Sequence, residues 1–159
     1  MEIISDKSGG IRTNLKLKGG APPAVRMEII GRVISKGKAS GKVLVSKDPI
    51  SFLGGVDPKT GIILEKGHAI EGKSVADKIL VFPHGKGSTV GSYVMLGLKK
   101  NGVAPAAIIN LEAETIIAVG AIISEIPMLD KPDVDVFELL KDGMDATVDC
   151  EKGLVLVEE

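Results

Sequence analysis

The apolar positions of this 159-residue chain fall into short, β-branched runs separated by glycine-rich turns. That pattern predicts strands of a few residues rather than long helices. Residues 28–34 and the run Lys42-Val43-Leu44-Val45 read as two strands joined by a glycine-containing turn over residues 36–41. Residues 51–61 form a long glycine-rich loop, after which Ile62-Ile63-Leu64 resumes strand character and residues 67–78 turn polar again. The run Ile79-Leu80-Val81-Phe82 is apolar at every position, as in a strand buried on both faces. The period then changes: Val90, Tyr93, Val94, Leu96 and Leu98 recur at helical spacing, and Lys99-Lys100-Asn101-Gly102 supplies basic residues and a glycine stop. Ala106-Ala107-Ile108-Ile109 predicts another buried strand, residues 114–124 a short helix, and Ile126-Pro127-Met128 a brief strand. After the acidic residues 133–142, Ala146-Thr147-Val148 and Leu154-Val155-Leu156-Val157 predict a closing pair of strands. Strand, helix, strand, helix, strand in the middle implies a parallel layer covered by helices. The fold class is therefore α/β: a β-rich layer or barrel with flanking helices.

Composition sharpens this picture. Three Phe, one Tyr and no Trp leave an aliphatic core, and 20 Gly without a fixed period exclude collagen. A formal charge of −1 provides no field to attract nucleic acid, and no apolar run reaches the ~18 residues of a membrane helix. The single cysteine, Cys150, cannot form an internal disulfide or supply the ligands of an iron-sulfur cluster or structural zinc site. A protein of a reducing, cytoplasmic compartment is expected. Residues 1–26 differ from the rest: they hold Gly-Gly and Pro-Pro pairs, five basic residues and two acidic ones. The tetrapeptide Met-Glu-Ile-Ile occurs at Met1 and again at Met27. We expect residues 1–26 to be a flexible extension and the folded domain to span 27–159.

The chemistry concentrates in Pro83-His84-Gly85-Lys86-Gly87-Ser88-Thr89-Val90-Gly91-Ser92, between a buried strand and a helix, where open α/β sheets place their ligands. Ser88 or Thr89 suits an N-cap, the backbone N–H groups of residues 88–90 would face an anion, and glycines on both sides of Lys86 permit close approach. The loop satisfies neither nucleotide pattern: Gly85-Lys86 is followed by Gly87 rather than Ser or Thr, and Gly85, Gly87 and Gly91 miss the dinucleotide spacing by one residue. A plain helix start with a solvated Lys86 fits the spacing as well. His68 and His84 form no triad or metal-ligand spacing with other residues. Residues 54–61 are a second candidate loop, with Asp57 either facing a ligand or bonding its own backbone in an Asp-Pro turn. Asn110, Glu112 and Glu114 follow a parallel strand and share that edge of the sheet, or serve as charge at a helix start.

Taken together, residues 51–61, 82–93 and 116–123 resemble the small subunit of the aconitase X family, and the resemblance extends over residues 27–157. It implies a β/β/α swivelling domain that closes over a 4Fe-4S cluster held by a separate large subunit, so that the enzyme is a heterodimer or higher and this chain binds no cofactor or metal itself. The implied activity is a hydro-lyase reaction on a small phosphorylated substrate, the dehydration of (R)-5-phosphomevalonate to trans-anhydromevalonate 5-phosphate. It makes Ser88 the proton acceptor, with Gly85, Lys86, Gly87 and Thr89 around it and Gly55, Asp57 and Thr60 as substrate-binding or supporting residues. Aconitase swivel domains carry an Arg just after this serine, whereas Thr89 and Val90 stand here, which argues against citrate-like substrates. A hydroxyproline dehydratase subunit of the same family, or a non-catalytic anion-binding or assembly module, are the alternatives.

Overall fold

A computed structural model of the chain describes residues 12–18 and 21–158. Four parallel strands form its centre: β4 (Lys38–Val45), β5 (Lys78–Phe82), β6 (Ala107–Asn110) and β7 (Met128–Asp130), adjacent in that order. Helices α2 (Gly91–Lys100) and α3 (Thr115–Ile123) make two of the three crossovers, and the β4–β5 connection holds a four-residue turn, α1 (Phe52–Gly55), with Leu53 and Gly54 outside helical geometry. Alternate residues of β5 enter different cores. Leu80 and Phe82 pack under the helices with Met95, Leu98 and Ile117, while Ile79 and Val81 pack on the opposite face with Val43, Ile109, Val148 and Val157. An all-apolar strand follows from burial on both faces.

The second face is covered by the sheet itself. β8 (Asp145–Asp149) pairs with β4, β9 (Leu154–Glu158) with β8, and β2 (Ala21–Ile30) with β9, all antiparallel. At the other edge β3 (Arg32–Ser35) pairs antiparallel with β7. β2 and β3 are one run of chain bent at Gly31, so the two flanks of the sheet are joined through a single residue and the sheet rolls round its inner core. Gly31 is required there. Its N–H donates to Gly153 O at 3.0 Å, and a Cβ would stand 2.9 Å from Asp130 O. Helix α4 (Val136–Leu139), started by Asp135 Oδ1 accepting from the N–H groups of Phe137 and Glu138, adds Val136 to the inner core.

Several elements depart from the sequence pattern. The turn expected over 36–41 is largely strand: β4 starts at Lys38, because its first half pairs with β8 and only its second half with β5. Ile62-Ile63-Leu64 forms isolated bridges, Val56 to Ile63 and Ile62 to Ser74, within a loop that Ile63 anchors in the outer core. The brief strand lies at 128–130 rather than 126–128, drawn forward by pairing with β3. The acidic stretch contains α4. Of the extension expected over 1–26, residues 1–11, 19 and 20 lie outside the described residues; β1 (Arg12–Lys18) pairs antiparallel with β2, and β2 runs through the domain start expected at Met27.

Asp130 ends β7 with no solvent exposure. Arg32 Nε donates to Oδ1 and Nη2 to Oδ2, both at 2.8 Å, and the Ala113 N–H donates to Oδ2 at 2.7 Å. Burial, the largest single influence, raises its pKa; the Arg32 hydrogen bonds, the Ala113 N–H and the charges of Arg32 and Lys131 together outweigh it and hold the carboxyl below its ordinary value. A carboxyl lowered in the folded state contributes stability above its unfolded pKa, about 3.9, and that contribution is lost as pH falls through the folded value. Asp130→Asn should therefore cost about 2–3 kcal/mol near neutral pH by denaturant unfolding. The gap to the parent chain should narrow as pH drops below about 4; a gap independent of pH would refute this account.

Candidate functional site

The parallel strands deliver four loops to one edge, after β4, β5, β6 and β7, and the second of these carries the candidate serine. Phe82, the last residue of β5, is fully buried and packs on Phe52 with ring centroids 6.3 Å apart, which fixes where the loop leaves the sheet. Asn110, at the end of β6, is also fully buried and donates from Nδ2 to Phe82 O at 3.0 Å. The loop from Pro83 onward is held on two sides. On one, Lys86 N–H donates to Ile50 O at 3.1 Å, and Gly87 sits over Ser51, whose Oγ would collide with any Cβ there. On the other, a Cβ at Gly85 would overlap the Ile117 side chain and come within 2.6 Å of Glu114 Oε1. Gly87 moreover has φ +91°, open to glycine at little cost. The two glycines expected to admit a ligand thus serve first to pack the loop between α3 and the Ser51 turn.

Ser88 emerges exposed from this support. Its Oγ accepts from the Val90 N–H at 3.1 Å, and its carbonyl accepts from the Gly91 N–H at 2.9 Å. The helix begins one residue later than a Thr89 N-cap and two later than a Ser88 N-cap would place it, with Val90 at the cap position in helical geometry and no side chain capping it. The N-terminal end of α2 nonetheless points its partial positive charge at this hydroxyl. The neighbouring helix start is used differently: Glu114 accepts the N–H groups of Ile116 and Ile117 at 3.1 and 2.8 Å, so its charge caps α3. Ser92, buried on the first turn of α2, donates to Ile116 O at 2.7 Å and ties the two helix starts together.

Lys86 Nζ lies 3.2 Å from Glu65 Oε2, both side chains partly exposed, so its charge is shared with a carboxylate that the sequence pattern did not single out. Gly55 belongs to the same neighbourhood, 3.8 Å from Glu65 Oε1 at its virtual Cβ. Asp57 and Thr60 do not. Asp57 Oδ1 accepts from Lys59 N–H at 2.9 Å, Thr60 Oγ1 from Ile62 N–H at 3.3 Å, and Asn101, just past the end of α2, donates to Pro58 O at 2.7 Å. Their turn therefore stands at the C-terminal end of α2, about 15 Å of helix away from Ser88. For Asp57 the structure shows the local turn rather than a ligand-facing carboxylate.

His68 is structural: its Nδ1 accepts from Ile70 N–H, which leaves Nε2 to donate to Pro49 O at 2.9 Å. His84 is exposed, with Nδ1 2.8 Å from Gly85 O. Glu112 is exposed near Arg32, whose guanidinium is held protonated first by its hydrogen bonds to Asp130, then by Asp130's charge, with a smaller contribution from Glu112. Burial, reinforced by Asp149, pushes the Cys150 thiol up to about 12, which makes it a poor metal ligand or nucleophile. Among the described residues no group of three His, Cys, Asp or Glu side chains could hold a metal, and no helix is long and apolar enough to cross a membrane.

A family model described as "Aconitase X swivel domain" matches residues 28–157. The chain belongs to this family. Among curated relatives, the phosphomevalonate dehydratase small subunit of Methanosarcina mazei is 63% identical over 125 residues, covering 79% of this chain and 87% of the relative. The protein of the same name from Methanosarcina acetivorans is 60% identical over 131 residues, 82% and 91% of the two chains. Of solved structures, the holo-form of Thermococcus kodakaraensis aconitase X superposes with a TM-score of 0.79 at 58% identity, over 83% of this chain and 98% of that one.

The packing of the loop makes a direct prediction. Gly87→Ala should cost about 1–3 kcal/mol for the left-handed backbone alone. Gly85→Ala should displace the loop from α3, so both variants should lose most activity in the assembled enzyme while keeping the circular dichroism of a folded domain. Wild-type activity in Gly85→Ala would show that the loop is not held as described.

Proposed function

We propose that this chain is the small subunit of a phosphomevalonate dehydratase, acting with a large subunit on (R)-5-phosphomevalonate to give trans-anhydromevalonate 5-phosphate. The names of relatives at 60–63% identity support the substrate, and the placement of Ser88 supports the chemistry. In the proposed step the proton on the carbon next to the carbinol passes to the Ser88 Oγ alkoxide, a C=C bond forms as the C–O bond of the neighbouring carbon breaks, and the departing hydroxide takes a proton from solvent to leave as water; Ser88 then returns its proton to solvent. A serine accepts a proton only if its alkoxide is stabilised. Val90 N–H already donates to Oγ at 3.1 Å, and the end of α2 adds its field. The identity to these relatives is the observation on which the reading rests, and the hydrogen bond supports the role given to Ser88.

This chain's residues do not fit an iron-sulfur cluster, because Cys150 is its sole cysteine and is buried and protonated. On the proposed reading a 4Fe-4S cluster belongs to the large subunit, where it supplies Lewis acidity toward the departing hydroxyl. What this chain contributes is the base and the loop that positions it. Lys86, tethered to Glu65, adds positive potential beside the loop and could exchange partners when an anionic substrate arrives.

Anaerobic reconstitution with the large subunit tests the reading. Ser88→Ala should lower kcat by about 10²–10⁴-fold, the range expected for loss of a general base, with a smaller change in KM. Full activity in that variant would overturn the assignment of Ser88. Turnover by this chain alone would overturn the two-subunit scheme.

A further inference from the structure

Strand β6 reads Ala107-Ile108-Ile109-Asn110, and its one polar residue is as fully buried as the apolar three. Side chains alternate along a strand. Ile108 lies in the outer core and Ala107 and Ile109 in the inner one, so Asn110 points to the helix side. Its register partner is Phe82, from which the serine loop departs. Nδ2 donates to Phe82 O at 3.0 Å, whereas Oδ1, equally buried, has no hydrogen-bond partner among the described residues. Leucine at this position would trade one unsatisfied acceptor, Oδ1, for another, Phe82 O, so stability alone gives little reason for the amide. The next two carbonyls are held as well: Pro83 O accepts the N–H groups of Leu111 and Glu112 at 3.0 and 3.4 Å, and His84 O accepts from Ile50 N–H at 3.4 Å. Pro83 has no N–H of its own to offer. The root of the loop is thus fixed by its carbonyls, the first of which depends on the Asn110 side chain. Among the described residues the N–H groups of His84 and Gly85 have no bonded carbonyl.

We propose that Asn110 is a positioning residue for the proton transfer: Nδ2 fixes the direction in which the serine loop leaves β5, and Oδ1 accepts a backbone N–H of the loop, from His84 or Gly85, when substrate draws the loop onto the sheet edge. The inference rests on the assignment of Ser88 above and adds what sets its position. Asn110 acts through the loop and not on the reacting atoms. Gly85 is pressed against Ile117 and Gly87 against Ser51, so the segment between them shifts as a unit, and a change of direction at Phe82 is carried to Ser88. A misplacement on the order of 1 Å at a reacting group lowers a rate by about 10²-fold, which makes the root of the loop a sensitive point. Only an amide meets both demands in this shape. Leucine offers neither donor nor acceptor, and an ionised aspartate offers acceptors alone and sets a negative charge against Phe82 O.

The test uses the assembled enzyme with both full-length subunits. Asn110→Leu should melt near the parent yet lower kcat about 10–10²-fold at saturating substrate, with KM changed less than kcat. Amide hydrogen exchange at residues 84 and 85 should slow in the parent when (R)-5-phosphomevalonate is added, and should not slow in Asn110→Leu. Asn110→Asp covers the case in which leucine does not fold. Burial raises the pKa of such a carboxyl, and its protonated form donates to Phe82 O while the other oxygen still accepts. The ratio of its kcat to the parent's, measured well below melting, should therefore climb toward one as pH falls. The titratable groups around it, Glu114 at the start of α3, His84 on the loop and the Asp130–Arg32 pair, are common to both enzymes and cancel in that ratio. A role confined to stability leaves the ratio flat. Parent kcat in Asn110→Leu, or a flat ratio in Asn110→Asp, overturns the proposal. Ser88→Ala run beside them separates two failures: full turnover there removes the base and this proposal with it, whereas parent kcat in Asn110→Leu beside an inactive Ser88→Ala removes only the role of Asn110.

Discussion

A carboxylate with no exposure to solvent holds the working edge of this domain together. Asp130 receives Arg32 from β3 and the Ala113 N–H from the loop before α3, so one side chain joins the closing strand, the last parallel strand and the approach to the second helix. The residue after Ala113 is Glu114, which caps α3 and stands against Gly85; the residues after Gly85 lead to Ser88. The chain of support from the barrel closure to the candidate serine is therefore short and mostly polar. Its cost is a buried charge, tolerable because both oxygens are bonded and the guanidinium partner is in bidentate geometry.

Two cores divide the remaining labour. The inner core is enclosed by a sheet rolled through Gly31, and the outer core sits under α2, α3 and the 50–75 loop. Both share β5, whose residues alternate between them, and β5 ends at Phe82 where the serine loop departs. The loop is thereby rooted in a strand buried on both faces. Phe52 and Ile50 brace it from the side, through the Phe52–Phe82 contact and the bridge between Ile50 and Gly85. Few aromatics are present, and two of them are spent here.

The period-based reading identified the central strands and both long helices because each carries its own signal: β5 and β6 are apolar at nearly every position, and α2 ends in Lys99-Lys100-Asn101-Gly102. The serine loop was legible for the same reason, as a break between two strong patterns. What was not legible depends on contacts distant in sequence. Nothing near Arg32 announces Asp130, 98 positions on, and nothing near Lys86 announces Glu65. Asp57 and Thr60 illustrate another limit. Their residue types suit a ligand loop, but type says nothing about which end of α2 the loop meets, and Asn101 fastens it to the far end. The start of β4 was misread because a turn-like Lys-Ala-Ser-Gly segment becomes strand once β8 lies beside it, a tertiary override of local preference.

The position of Ser88 also explains why such a domain would need a partner on the proposed reading. An exposed helix terminus stabilises a neighbouring negative charge by about 0.3–1 kcal/mol, rising to about 2 kcal/mol when partly buried. One pKa unit corresponds to about 1.4 kcal/mol, so the bare terminus moves a hydroxyl's proton affinity by about one unit or less, far short of what a serine base requires near neutral pH. The same dipole and the same Val90 N–H act more strongly once water is excluded, because Coulombic terms grow as the effective dielectric falls from ~80 toward ~20. On the proposed reading, a partner that covers the exposed residues 86–90 supplies that exclusion. On that reading the domain carries a positioned base and the partner supplies the dry surroundings in which it acts.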